Sequence, residues 1–209
     1  LGRLVQHYIA STGCEHFGLL VGQRGGQSSL GLIGLAIRDS ANVGLALRRL
    51  GTYLHLYHGG QVMNLDVSGD VATLSYAIHQ PGVEAVDQIE DGALAIFFNV
   101  MRDLCVADWL PLAVRFAHRR PASVRPFLDL FHTTMQFNAD QSALVFSANW
   151  LHQPMPEVDA DLQRLLRREM DELEATQGTD FRERVRGVLR TALLTGRGSA
   201  DQVAAMFSV

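Results

Sequence analysis

Eight histidines are spread along the 209-residue chain. Two of them, His55 and His58 in "YLHLYHGG", stand three apart on an apolar helical pattern. A zincin-type metal site places two histidines four apart with a glutamate between them, and adds a third ligand. Here Leu56 and Tyr57 intervene. The spacing suits one solvated histidine and one at a helix C-terminus, where the macrodipole favours a cation. His79, His118 and His152 fall at the ends of other elements. Beside Ser68, Ser75 or Asp87 they sketch a hydrolytic triad, but the chain has no Gly-x-Ser-x-Gly elbow. "GQRGGQSSLG" carries glycines without either phosphate-loop signature, so a turn and close helix contact are expected there.

A second set has the chemistry of a small-molecule pocket, a few convergent polar groups in apolar surroundings. Tyr76, His79 and Gln80 close an apolar strand pattern, Asp87 and Asp91 lie on the next helix, and Arg115 and His118 lie on a later strand. These seven are the candidate ligand-binding residues. No cofactor, resident metal or catalytic role is expected of them. The rival reading is a small metal-dependent or histidine-based hydrolase using His55, His58, His118 or His152.

The elements that must position these groups follow from periodicity. Leu1, Leu4, Val5, Tyr8 and Ile9 mark an amphipathic helix already under way at the first residue, closed by Gly13. Residues 30–40 read as a buried helix carrying Gly31 and Gly34, where glycine is costly unless another backbone packs close. Ser40 or Asn42 caps the next helix, whose apolar face is Val43, Ala46, Leu47, Leu50, Leu54 and Tyr57. The period then changes to two over "QVMNLDVSGDVATLSYAI", a hairpin turning at Ser68-Gly69-Asp70.

Residues 81–105 return to a helix with Phe97 and Phe98 as core. Its acidic residues Glu84, Asp87, Glu90 and Asp91 are gathered where the helix dipole favours them. "LAVRFAH" is a third strand, "SVRPFLDLF" a short helix or turn and "ALVFSA" a fourth strand. The expected fold is α+β, a short antiparallel β-sheet packed by helices and followed by a helical dimerisation and linker arm. The body occupies 1–156, the arm 157–177 and a linker helix with a further short helix 178–209. On the arm, Leu162, Leu165, Leu166, Met170 and Leu173 form one stripe, which docks on the body or pairs with its twin in a homodimer.

Charge narrows the partners. Eighteen Lys and Arg against 22 Asp and Glu give a formal net charge of -4, so this chain offers a polyanion no electrostatic footing. Two cysteines make no disulfide framework, which fits a cytoplasmic protein. No stretch approaches the ~20 apolar residues of a membrane span.

The last residues, "GRGSADQVAAMFSV", hold Ser199 and Gln202 at capping-box spacing before Val203, Met206 and Phe207. One short helix has no stability alone, so a partner helix is expected beyond residue 209, and a helical segment ahead of Leu1. Gly196, Ser199, Gln202, Val203, Ala204 and Phe207 resemble the first helix of the helix-turn-helix of AraC-type transcriptional regulators. Residues 17–54, 114–121 and 143–156 resemble the arabinose-binding-like sensor domain of the subgroup that includes ornithine-utilisation-type regulators. The resemblance implies a domain that binds a small effector, dimerises, and controls DNA binding by a reader domain lying beyond this sequence.

Overall fold

The computed structural model describes residues 2–57, 60–105 and 109–155. The leucine stripe, the Ser199–Gln202 motif and His58 lie outside the described residues, as does the side chain of His55.

The amphipathic opening becomes α1 (Gly2–Thr12), ended by Gly13 at φ 66°. The apolar run that follows is a short helix, α2 (Phe17–Gln23). The expected single helix over 30–40 is interrupted. A 3-10 turn (Gln27–Leu30) stops at Gly31, whose φ of 56° lets the chain turn into α3 (Leu32–Arg38). Gly34 behaves as expected, since a Cβ there would lie 2.0 Å from the Gln27 carbonyl oxygen. Gly31 has nothing within 4 Å and serves only the turn. Of the two candidate caps for α4 (Val43–Tyr57), Asn42 acts: its Oδ1 accepts the Leu45 N–H at 2.9 Å.

The hairpin is β1 (Gln61–Ser68) and β2 (Val71–Ile78), in register from Gln61–Ile78 to Ser68–Val71, with Gly69 at φ 58° in the turn. Helix α5 (Val86–Cys105) begins later than its apolar pattern predicts, because Ala85 sits at φ 52° and breaks the helix there. Then come β3 (Ala113–Arg115), α6 (Arg125–Phe131), β4 (Thr134–Gln136), β5 (Ser142–Ser147) and a closing 3-10 turn.

The strands form one five-stranded sheet ordered β1-β2-β5-β3-β4. The α+β expectation holds, but the sheet is mixed rather than antiparallel, because β3 and β4 run parallel. A parallel pair needs a crossover, and α6 supplies it. Three residues of β4 are too few for alternation to show in the sequence.

One face of the sheet carries Met63, Leu65, Leu74, Tyr76, Val114, Leu144 and Phe146. Helix α5 crosses this face, with the Phe97 ring edge-on to Tyr76, and α4 lies beside it against β1. The aromatic side chains Trp109, Phe98, Phe116, Phe127, Phe131 and Phe146 are fully buried in one core. On its outer side α5 is covered by α2. A Cβ on Gly18 would stand 1.8 Å from the Gln88 carbonyl oxygen, and one on Gly22 would stand 2.2 Å from that of Gly92. Side-chain amides fasten both ends of this contact. Gln88 accepts the Gly18 N–H at 2.9 Å and donates to the Glu15 carbonyl at 2.8 Å, while Asn99 donates to the Gln23 carbonyl at 3.0 Å.

Candidate functional site

Helix α5 has to lie flat on an apolar sheet, yet its second turn turns two neighbouring carboxylates, Glu90 and Asp91, inward. Both residues are buried, Asp91 completely. The sequence suggested dipole-stabilised acids at a solvated helix start. Only Asp87 and Glu84 are exposed there, whereas Glu90 meets Ser142 of β5 and Asp91 meets His118, which lies in the bend after β3 and not on the strand itself, because β3 ends at Arg115.

Asp91 Oδ1 lies 2.8 Å from His118 Nε2, and His118 Nδ1 lies 2.8 Å from the Arg119 carbonyl oxygen. Both ring nitrogens therefore face oxygen atoms, an arrangement that a doubly protonated imidazolium satisfies beside an ionised Asp91. Burial opposes that charge, but the hydrogen bond and charge of Asp91, aided by the Arg119 carbonyl, outweigh it and lift His118 to about 9. Burial also raises the Asp91 carboxyl, with the His118 hydrogen bond and charge working against that rise. We take the pair as ionised at neutral pH. The other carboxylate oxygen, Asp91 Oδ2, is buried and has no hydrogen-bond partner among the described residues. An orphaned anionic oxygen in a low-dielectric site is costly, and a donor brought to it is strongly held.

One residue earlier, Glu90 Oε2 accepts the Ser142 hydroxyl at 2.6 Å, and Ser142 Oγ accepts the Ala117 N–H at 3.2 Å. Burial raises Glu90 too, partly offset by the Ser142 hydroxyl and the Ile78 backbone. Tyr76 stands directly opposite Ser142 across the β2–β5 ladder. Burial, and then the charge of Glu90, push its phenol upward, so it stays protonated at any ordinary pH. Two buried carboxylates, an imidazolium, a phenol and a serine thus meet where α5 crosses β2, β5 and the end of β3.

The structure brings together Tyr76, Asp91 and His118 of the seven sequence candidates, and Asp87 acts on the pair electrostatically from the exposed side of α5. It does not bring in the others. His79 and Gln80 are exposed at the end of β2 beside Gly60. Arg115 alternates with the core-facing Val114 and Phe116, so it lies on the opposite face of the sheet. Sequence reasoning missed Glu90 as a site residue and missed Ser142 altogether. A signal existed for Glu90, an acid one position from Asp91 on a helix that must bury most of its circumference. Ser142 gave none, since its partner lies 52 positions away. Among the described residues no group of three or more His, Cys, Asp or Glu could hold a metal ion. No helix among them is long and apolar enough to cross a membrane.

Comparison with known proteins bears on what this frame is. The family model of the arabinose-binding domain of AraC transcription regulators, N-terminal, matches residues 1–155. The HTH-type transcriptional regulator VirS of Mycobacterium tuberculosis is 21% identical over 206 residues, 97% of this chain and 60% of that protein. The ornithine utilization regulator of Pseudomonas aeruginosa is 24% identical over 181 residues, 87% of this chain and 53% of that protein. The chain thus spans little more than half the length of these curated relatives. The crystal structure of the transcriptional regulator CdpR from Pseudomonas aeruginosa shares the fold, with a TM-score of 0.65 at 17% identity over 90% of this chain and 62% of that one. With residues 1–155 matched to its model, the chain belongs to the arabinose-binding-domain family of AraC-type transcriptional regulators.

Proposed function

We propose that this region senses a small-molecule effector and passes the result to DNA binding by a reader domain beyond it, without catalysing a reaction, in the cytoplasm. The observation that carries the reading is Asp91 Oδ2, a buried carboxylate oxygen without a donor among the described residues, inside a domain of a regulator family. Such an atom is kept in a core at a cost, and a ligand donor that reaches it recovers that cost on binding. The effector contacts are then Tyr76, Asp87, Asp91 and His118, joined by Glu90 and Ser142. His79, Gln80 and Arg115 stay with the reading only if α5 and the sheet edge move on binding. Because α5 is clamped to α2 on its far side, a ligand that shifts the carboxylate face displaces both helices together. That is a population shift able to reach the linker arm. In the same reading the stripe Leu162, Leu165, Leu166, Met170 and Leu173 joins two copies, and Ser199 and Gln202 open the DNA-reading motif.

A thermal-shift screen of the chain against amino acids, sugars, aromatic acids and fatty acids tests this. A ligand specific for the folded state at a hundredfold excess over its Kd adds about 2.7 kcal/mol. One chemical class is expected to raise the Tm of the chain and to lose that effect in Asp91→Asn. A hit that survives Asp91→Asn and Glu90→Gln unchanged would remove the site from this place. Light-scattering mass on the same samples reads the dimer, and a monomer at micromolar concentration would overturn that part.

A further inference from the structure

A recess open to solvent lies at the other end of α5, away from the carboxylate cluster. It holds about 360 Å³, between the C-terminal half of α5 and the loop that follows α2, and among its walls are Arg24, Gly26, Ser28, Asn99, Arg102 and Asp103. Ligand sites begin at roughly this volume, which suits a metabolite rather than a peptide. Its charged groups are not joined to one another in ion pairs. The ion pairs His118–Asp91 and Arg125–Asp129 lie elsewhere, and Arg24, Arg102 and Asp103 share one concavity without an ion pair to one another.

The frame around these groups is built. Asn99 ties the loop down through the Gln23 and Gly25 carbonyls, and the Arg102 guanidinium lies 5.8 Å from the ring centre of the fully buried Phe98. Gly26 keeps the floor open. A Cβ there would stand 3.6 Å from Asp103 Oδ2 and 3.7 Å from Asn99 Cβ, inside the recess and in ordinary contact. Gly26 is extended, with φ -174°, so its backbone admits any side chain. Two guanidinium groups suit a planar carboxylate, and the opposing Asp103 carboxylate suits an ammonium. A simple anion would meet repulsion from Asp103, and a simple amine repulsion from the arginines.

We infer that this recess is a binding site for a small zwitterion of the α-amino-acid type, its carboxylate on Arg24 and Arg102 and its ammonium on Asp103. The site goes beyond the effector reading, because it uses none of the residues of the carboxylate cluster. It would act on the same helix, since its ligand braces the loop after α2 against α5.

The test is ligand-observed NMR and calorimetry on the full chain. The probes are the proteinogenic amino acids, each compared with its deaminated carboxylate and its decarboxylated amine. Saturable binding is expected for one or more amino acids, at least tenfold tighter than for either matched control. Arg24→Gln and Gly26→Val should each weaken it at least tenfold, and Arg125→Gln, outside the recess, should not. Asp103→Asn should erase the preference for the zwitterion over the carboxylate. No saturable binding up to 10-millimolar probe, or binding indifferent to both Arg24→Gln and Gly26→Val, would overturn the proposal. Asp91→Asn separates the two readings, since a hit lost there and kept in Gly26→Val belongs to the carboxylate cluster and also counts against the recess.

Discussion

The two faces of α5 solve opposite problems. The outer face meets α2 through Gly18, Gly22 and Gly92, a contact of backbone on backbone in which a methyl added at Gly18 or Gly22 has nowhere to go. The inner face meets the sheet through Glu90 and Asp91, where charge is buried and then only partly neutralised. The first face is stabilised by close packing and two amide clamps, and it tolerates almost no change of volume. The second does not tolerate loss of a partner, because the remaining group would be left charged in a low dielectric. One helix therefore joins a seam held by close packing to one held by buried charge.

The difference can be broken most severely on the glycine side. Gly18→Val would drive a side chain into the backbone of Gln88, and a loss of about 4 kcal/mol or more is expected, at the high end for single substitutions. Urea denaturation followed by circular dichroism reads it, and a loss under 1 kcal/mol would show that α2 can lift away from α5.

On the carboxylate side, Asp91→Asn leaves a buried imidazole without its counter-charge and should cost roughly 3 kcal/mol near neutral pH. The pH dependence sharpens the comparison. Folded His118 holds its proton up to about 9 against an ordinary 6.5. Its stabilisation is therefore complete below about pH 6.5 and is lost as pH rises through 9, on the order of 3 kcal/mol in all. The raised Asp91 and Glu90 act in the same direction at lower pH, since the unfolded chain gives up those protons first. In Asp91→Asn only the Arg119 carbonyl and the Asp87 charge still work against burial, so the pKa of His118 should fall from about 9, and the loss between pH 6.5 and 9 should shrink. An NMR titration of His118 and denaturation curves at the two pH values check both. A wild-type midpoint that holds steady or rises from pH 6.5 to 9 would contradict the ion pair.

The smallest effect is expected at the clamp. Gln88→Ala removes two hydrogen bonds from the N-terminal end of α2 and should cost about 1 kcal/mol. Amide exchange should show faster opening confined to α2 and its flanks. Uniform acceleration across the sheet would mean that α2 and the sheet open as one unit.

Much of this was legible beforehand, for local reasons. The 3.6-residue pattern of α4 and α5, the alternation of β1 and β2 and the Gly69 turn are properties of adjacent residues, and sequence carries them directly, whereas "SVRPFLDLF" left helix and turn open. The pairing of Asp91 with His118 was half legible: both residues were candidates, but nothing in a linear pattern says which faces meet. Arg115 shows why, because its place on β3 was read correctly and its face was not.

By itself, then, the sequence determined the α+β class, the long helices, the hairpin and the family, since periodicity, turn chemistry and the motif residues are written within a few positions of one another. Only the tertiary structure decided that β4 joins in parallel, that Glu90 and Asp91 turn inward, and that Ser142 and His118 close over them. The last two depend on contacts between residues 27 and 52 positions apart, and all three are chosen by packing that no local pattern encodes.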